Sequence, residues 1–311
     1  MRAFIFPGQG SQAVGMGQAL AEASAAARLL LQEVDDALSQ NLARLMAQGP
    51  EDELTLTENA QPAIMANSLA VLRVLEQEAG LRLAEKADCV AGHSLGEYSA
   101  LAAAGAFDVP TTARLLKLRG RSMQAAVPVG EGAMAALLGL DVEAAEAVAA
   151  EAAQGQVCET ANDNAPGQVV VSGHKAAVER ALEIAKTKGA RRALLLPVSA
   201  PFHCALMEPA ARTMEEALAE AEMGPPFVPV YANVTAAPVD DPTEIRALLV
   251  AQVTGRVRWR ESVAAMAEAG VDHFVELGGK VLGPMVKRIA PDTKTTSVVS
   301  MDDVEALVKE I

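Results

Sequence analysis

The sequence predicts an α/β fold, a mainly parallel sheet with helices on both faces, interrupted by a small ferredoxin-like domain. Three observations carry the prediction. Short apolar strand candidates alternate with helical runs along most of the chain, the pattern of a parallel sheet covered by its crossover helices. Asp88 to Leu101 reads DCVAGHSLGEYSAL, an apolar strand that breaks at Gly-x-Ser-x-Gly and re-enters as a helix, which is the form of a nucleophile elbow. Residues 131 to 196 then change rhythm to strand-helix-strand-strand-helix-strand, the βαββαβ order of a ferredoxin-like unit. A chain of 311 residues that is 51% hydrophobic has room and apolar content for one large domain with an insertion.

Taken in order, Ala3 to Phe6 is a short buried strand, Pro7 to Gln12 a glycine turn, and Met16 begins a helix. Gly8-x-Gly10-x-x-Ala13 fits a dinucleotide fingerprint loosely, but Leu29 to Leu38 reads as helix where that motif needs a second strand ending in an acid. Residues 25 to 80 read as mostly helical, punctuated at Gly49-Pro50 and Gln61-Pro62. After the elbow, a helix starts near Pro110 and runs to about Ala126. Within the small domain, Gln156 to Thr160 and Gln168 to Ser172 are strands joined by a turn from Asn162 to Gly167. Pro128 and Pro197 bracket the insertion, which gives a large catalytic domain from 1–128 and 198–311 and a small domain at 129–197. The large domain closes with strands at Val228 to Ala232, His273 to Leu277 and 295 to 299, separated by helices.

Composition excludes several classes. A net charge of −14 argues against generic nucleic-acid binding and against attraction to an anionic membrane. Cys89, Cys158 and Cys204 are scattered, without metal-ligand spacing, so neither a metal site nor a disulfide framework is expected. No leader segment and no apolar run of bilayer length is visible, which points to a cytoplasmic protein.

The elbow sets the chemistry. Its turn is tight, so Gly92 and Gly96 flank it, and it lifts the Ser94 hydroxyl clear of the backbone at the start of a helix. A serine needs a base to act as a nucleophile near neutral pH. Of the four histidines, His93 points away from Ser94, His174 lies in a turn of the small domain, and His273 begins a strand. His203 follows the strand Leu194 to Val198, at the carboxyl end where ligands gather, and is the candidate base; a hydrogen-bonded structural histidine is the plain alternative. On the helix after the elbow, Arg114, Lys117 and Arg121 share a solvated face, whereas Arg119 falls among Leu115, Leu116, Met123 and Ala126. A guanidinium there needs an anion, either a structural Asp or Glu or the carboxylate of a substrate.

These residues, together with others spread along the chain, resemble a family. Phe6-Pro-Gly-Gln-Gly-Ser-Gln12, Asn59-Ala-Gln-Pro-Ala63, Gly92-His-Ser-Leu-Gly-Glu-Tyr98 and Arg119-Gly-Arg121 are similar to malonyl-CoA:acyl-carrier-protein transacylases. So are Asn164-Ala-Pro-Gly-Gln-Val169, Pro201-Phe-His203 and Glu276-Leu-Gly278. The resemblance implies an α/β-hydrolase-like core with the ferredoxin-like insertion. It implies Ser94 as nucleophile, His203 as base, Arg119 on the malonyl carboxylate, and backbone N–H groups of Gln9 and Leu95 as oxyanion hole. It further implies the main-chain carbonyl of Gln252 as the group orienting His203, Asn162 near the coenzyme A arm, and Gln61, Met123 and Phe202 lining the substrate site. Two departures fall near the cleft: Thr254-Gly255-Arg256-Val257 lacks the family's proline, and Gly278-Gly279-Lys280 is one residue short.

The implied activity is ping-pong transfer of malonyl from malonyl-CoA, through malonyl-Ser94, to the phosphopantetheine thiol of acyl carrier protein, with no permanently bound cofactor. A serine hydrolase of esters or thioesters shares the elbow, and a carrier-protein docking module shares neither need for Ser94 nor for His203. A monomer is expected. An acidic carrier protein meeting this acidic chain needs a local basic surface, and the clusters at Lys186, Lys188, Arg191 and Arg192 and at Lys280, Lys287 and Arg288 are the candidates, unless both are ordinary solvated faces.

Overall fold

The computed structural model describes residues Met1–Ile311. Ten strands occur along the chain. They are β1 (Arg2–Phe6), β2 (Cys89–Gly92), β3 (Gly132–Leu138), β4 (Cys158–Ala165), β5 (Gln168–His174), β6 (Arg192–Leu195), β7 (Val230–Ala232), β8 (Ala237–Val239), β9 (His273–Leu277) and β10 (Lys294–Val298). They form a six-stranded sheet in the order β10-β9-β1-β2-β7-β8 and a four-stranded sheet in the order β4-β5-β3-β6.

The larger sheet is parallel except for its edge strand β8, which returns antiparallel along β7. Both faces are covered, and β1 shows it residue by residue: Phe4 and Phe6 enter the largest buried cluster, Ala3 and Ile5 a second cluster with Trp259 and Phe274. Near-continuous apolar strands are what burial on both faces demands. Phe6 is paired with Gly92, so the turns after β1 and β2 emerge side by side at the carboxyl ends of two central strands.

The smaller sheet is antiparallel throughout and carries the helices Val142–Ala153 and Lys175–Thr187. It has its own buried cluster, with Val148, Val169, Val171 and Val178 at its centre. Gly132, at one end of β3, meets Pro201, since a Cβ there would lie 2.4 Å from its ring. On its other edge, β4 bridges from Asn162 to Val257 in the large unit.

Three sequence expectations are corrected. Asn162 to Gly167 is not a turn: β4 runs through Ala165, with register shifts between Thr160 and Asn162 and between Asp163 and Ala165, and only Pro166-Gly167 turns. The polar run that suggested a loop is spent on tertiary partners. The Asp163 carboxylate pairs with Arg260 at 2.8 Å, and Asn164 Oδ1 meets His93 Nε2 at 2.7 Å. Pro62 does not punctuate; it lies inside the helix Thr57–Gln77, a helix buried around most of its circumference, where packing outweighs local propensity. Lys117 is not on a fully solvated face, because its ammonium donates to Gln40 and Asn59 and pairs with Glu58. The short β8 was not foreseen; Pro238 is tolerated there because an edge strand has ladder positions that need no N–H.

Candidate active site

The elbow is forced by contact. A Cβ at Gly92 would sit 1.9 Å from the Gly96 carbonyl oxygen, and one at Gly96 would sit 2.2 Å from the Phe6 carbonyl oxygen. Ser94 between them has φ 53°, in the left-handed region that a non-glycine residue enters only when its surroundings hold it. Asn233, just past β7, does the holding. Its Oδ1 accepts from the Ser94 N–H at 2.8 Å, and its Nδ2 donates to the Gly92 carbonyl at 2.7 Å. Reading the sequence missed Asn233; its one signal was a position directly after a strand, at the carboxyl edge.

The Ser94 Oγ lies 2.8 Å from His203 Nε2. His203 also has a positive φ of 56°, and its Nδ1 faces the main-chain carbonyls of Gln252 at 2.9 Å and Gly255 at 3.1 Å. Carbonyls only accept, so the ring proton resides on Nδ1 and Nε2 is left free to take the serine proton. Burial, followed by the charge of Arg119, drives the His203 pKa down from 6.5 to about 3, against the pull of the two carbonyls. The imidazole is therefore neutral near pH 7. His93 is turned away, with its ring 5.8 Å from that of Trp259.

Arg119 is 1% exposed, on the helix Val109–Ala125. Its Nη1 donates to Gln61 Oε1 at 2.8 Å, and its Nη2 donates to Gln252 Oε1 at 2.9 Å and to Ser94 Oγ at 3.2 Å. The guanidinium carbon stands 5.7 Å from the centre of the Tyr98 ring. Every hydrogen-bond partner is neutral, Nε has none, and no carboxylate pairs with the group. Of the two anions open to it on sequence grounds, a structural Asp or Glu partner is absent. A cation kept unpaired beside a nucleophile is an anion-binding arrangement.

Glu97, in the first turn of the helix Gly96–Ala103, is 2% exposed. Its Oε2 accepts from Asn233 N at 3.0 Å and from Gln252 Nε2 at 2.8 Å, and burial raises its pKa to about 7. Gln252 thus serves twice: its main chain faces His203 and its side chain faces Arg119.

The remaining expected positions fall around this set. A Cβ on Gly8 would lie 2.6 Å from the His93 carbonyl oxygen, so the loop carrying Gln9 is laid on the elbow. Neither the Gln9 nor the Leu95 N–H is bonded within the chain. Gln61 and Met123 touch, with Gln61 Nε2 3.7 Å from the sulfur. Phe202, mostly buried, precedes His203. Asn162 is buried and bridges through its backbone to Val257, two residues beyond Gly255. Of the basic residues, Lys188 pairs with Glu151, and Arg288 donates to the Pro166 carbonyl. No helix is long and apolar enough to cross a membrane.

An activated serine, a neutral imidazole, two free N–H groups and an unpaired guanidinium suit acyl transfer of a group bearing its own carboxylate. Comparison with known proteins agrees. The acyl transferase domain family matches residues 3–286. Over 310 residues the chain is 46% identical to the malonyl CoA-acyl carrier protein transacylase of Escherichia coli (strain K12), covering 99% of each. The acyl-carrier-protein-S-malonyltransferase structure from Bartonella henselae matches with a TM-score of 0.97 and 53% identity, over 99% of this chain and 98% of that one. A malonyl-transacylase solved in complex with its type II PKS acyl-carrier protein matches with a TM-score of 0.96 and 43% identity, over 100% of this chain and 99% of that one. Full-length identity, shared fold and the Ser94–His203–Arg119 geometry lead to one conclusion: the chain belongs to the malonyl CoA-acyl carrier protein transacylase family.

Proposed function

We propose that this chain transfers the malonyl group of malonyl-CoA to the phosphopantetheine thiol of acyl carrier protein through an ester on Ser94. The Ser94 Oγ attacks the thioester carbonyl while its proton passes to His203 Nε2. The oxygen that becomes negative turns toward the N–H groups of Gln9 and Leu95. As the tetrahedral centre collapses, the carbon–sulfur bond breaks and His203 returns the proton to the departing thiolate. In the second half, the carrier thiol gives its proton to His203 and attacks the ester; Ser94 leaves and is reprotonated. Gln61, Met123 and Phe202 line the acyl site, and Asn162 borders the coenzyme A arm. No step calls on a bound cofactor.

The observation that carries the reading is Arg119, a buried guanidinium with neutral partners alone, 3.2 Å from the nucleophile. A malonyl carboxylate supplies the missing anion in bidentate form. Arg119→Ala should lower kcat/KM for malonyl-CoA by about 30- to 1,000-fold, the loss of roughly 2–4 kcal/mol of charge-assisted hydrogen bonding. Acetyl-CoA, which has no second carboxylate, should lose less than fivefold. Equal losses for both substrates would make Arg119 structural and defeat the reading.

The chain divides in this reading into a hydrolase-like catalytic domain, 1–128 and 198–311, and a ferredoxin-like unit at 129–197. The separate core and the order β4-β5-β3-β6 support the second, and the elbow at the end of a central parallel strand supports the first. For carrier-protein docking, Lys280, Lys287 and Arg288 are the better surface. A Cβ on Gly279 would lie 2.8 Å from Pro7, so that loop borders the loop of Gln9, and Arg288 reaches the turn after β4. Arg192, near Lys188, pairs with Leu138, at the opposite end of β3 from Gly132 and Pro201.

A further inference from the structure

The side-chain amide of Gln252 has a fixed polarity. Around its Nε2 stand three acceptors: the Ser94 carbonyl at 3.0 Å, Glu97 Oε2 at 2.8 Å and Asn233 Oδ1 at 3.2 Å. At its other end Oε1 takes the Arg119 Nη2–H at 2.9 Å. Turning the amide over would press its oxygen against three oxygens and its NH2 against a guanidinium. Of the three acceptors Glu97 is the strongest, a buried carboxyl whose Oε2 makes no contact with Arg119 itself.

That indirect connection matters. A direct Glu97–Arg119 ion pair would fix the guanidinium but consume its charge, leaving nothing for an incoming carboxylate. With an amide between them, the carboxyl fixes the direction of the guanidinium while its charge stays unmatched by any contact. We propose that Glu97 is a positioning residue for acyl-group selection: acting through Gln252, it holds Arg119 aimed at Ser94 and so sets the preference for a malonyl over an acetyl group. The inference rests on Arg119 as the malonyl carboxylate's partner, as argued above. A second contact of Glu97, to Asn233 N, supports the elbow and serves both substrates alike. The ratio of malonyl to acetyl kcat/KM therefore isolates the proposed role from a merely structural one.

The test measures that ratio, with thermal midpoints alongside, in Glu97→Ala, Glu97→Gln, Gln252→Leu and Arg119→Ala. Glu97→Ala should lower the ratio at least fivefold, mostly through KM for malonyl-CoA. Glu97→Gln, which keeps an oxygen at the Oε2 position, should recover most of it. Gln252→Leu should lower the ratio at least as far, and adding Glu97→Ala to it should change the ratio less than twofold, since the carboxyl acts through that amide. A Glu97→Ala ratio within fivefold of the unmodified protein, with both substrates falling in parallel, overturns the proposal. Should Glu97→Ala fail to fold, Glu97→Leu, which fills the volume, is read by the same threshold, and a Gln252→Leu protein that keeps its ratio overturns the proposal by itself. Arg119→Ala separates the two levels: if it leaves the ratio intact, the Arg119 reading fails; if it collapses the ratio while Glu97→Ala does not, only the present inference fails.

Discussion

At the scale of single residues, His203 has one usable tautomer, because two carbonyls claim Nδ1 and a hydroxyl faces Nε2. Its folded pKa is depressed, so protonation resists falling pH, and the imidazole stays neutral below its ordinary value of 6.5. The same sign makes the folded state lose stability as pH drops below 6.5, where the unfolded chain's imidazole takes up a proton that the folded one refuses. Single-turnover malonylation at pH 5.5 should therefore keep more than half its rate at pH 7.5. A decline centred near pH 6.5 that persists in Glu97→Gln would contradict a neutral, desolvated base. Ser94 and Arg119 stood out in the sequence, one a serine between glycines, the other a cation on an apolar stripe. His203 stood out for a reason the fold corrects: the strand read at Leu194 to Val198 is β6, which ends at Leu195 in the small antiparallel sheet, and the loop beyond it brings the imidazole to Ser94. Asn233 and Glu97 did not stand out. Asn233 works only because β7 pairs with β2, far away in the chain, and an acid in a helix's first turn is an ordinary sight that hides Glu97.

At the scale of elements, the elbow is a strand and a helix brought closer than side chains allow. Gly96→Ala places a methyl group against the Phe6 carbonyl, a rigid backbone neighbour that cannot rotate away. It should destabilise the fold by about 2–4 kcal/mol, read as a lowered denaturation midpoint, and should impair acylation as Ser94 shifts. Unchanged stability would mean that the two turns are farther apart than described. Strand and helix order was readable because short continuous apolar runs bounded by turn residues alternate with longer runs of helical period. Reading failed where polar residues serve distant partners. The hairpin arm Asn162–Asn164 looked like a loop because its side chains are spent on Arg260 and His93 and its backbone on the bridge to Val257. Pro62 looked like a break because its helix is stabilised by burial, which a local pattern does not reveal.

At the scale of the whole molecule, the candidate site draws on segments either side of the four-stranded sheet: Ser94 and Arg119 precede its strands in the chain, His203 and Gln252 follow them. The small antiparallel sheet is joined back to the large unit by β4, through Asn162 to Val257, Asp163 to Arg260 and Asn164 to His93, directly before Ser94. A second, smaller sheet was legible from the change of rhythm; which of its strands meets the large unit was not, because no local pattern encodes a contact between Asn164 and His93. The central claim, a malonyl group carried on Ser94 between two thiols, is tested most directly by intact mass. Incubated with malonyl-CoA, the protein should gain the mass of one malonyl group, and Ser94→Ala should gain none while remaining folded. Adding phosphopantetheinylated acyl carrier protein should then discharge the adduct and leave the same added mass on the carrier. Turnover of malonyl-CoA with no adduct, or an adduct that survives in Ser94→Ala, would contradict the account.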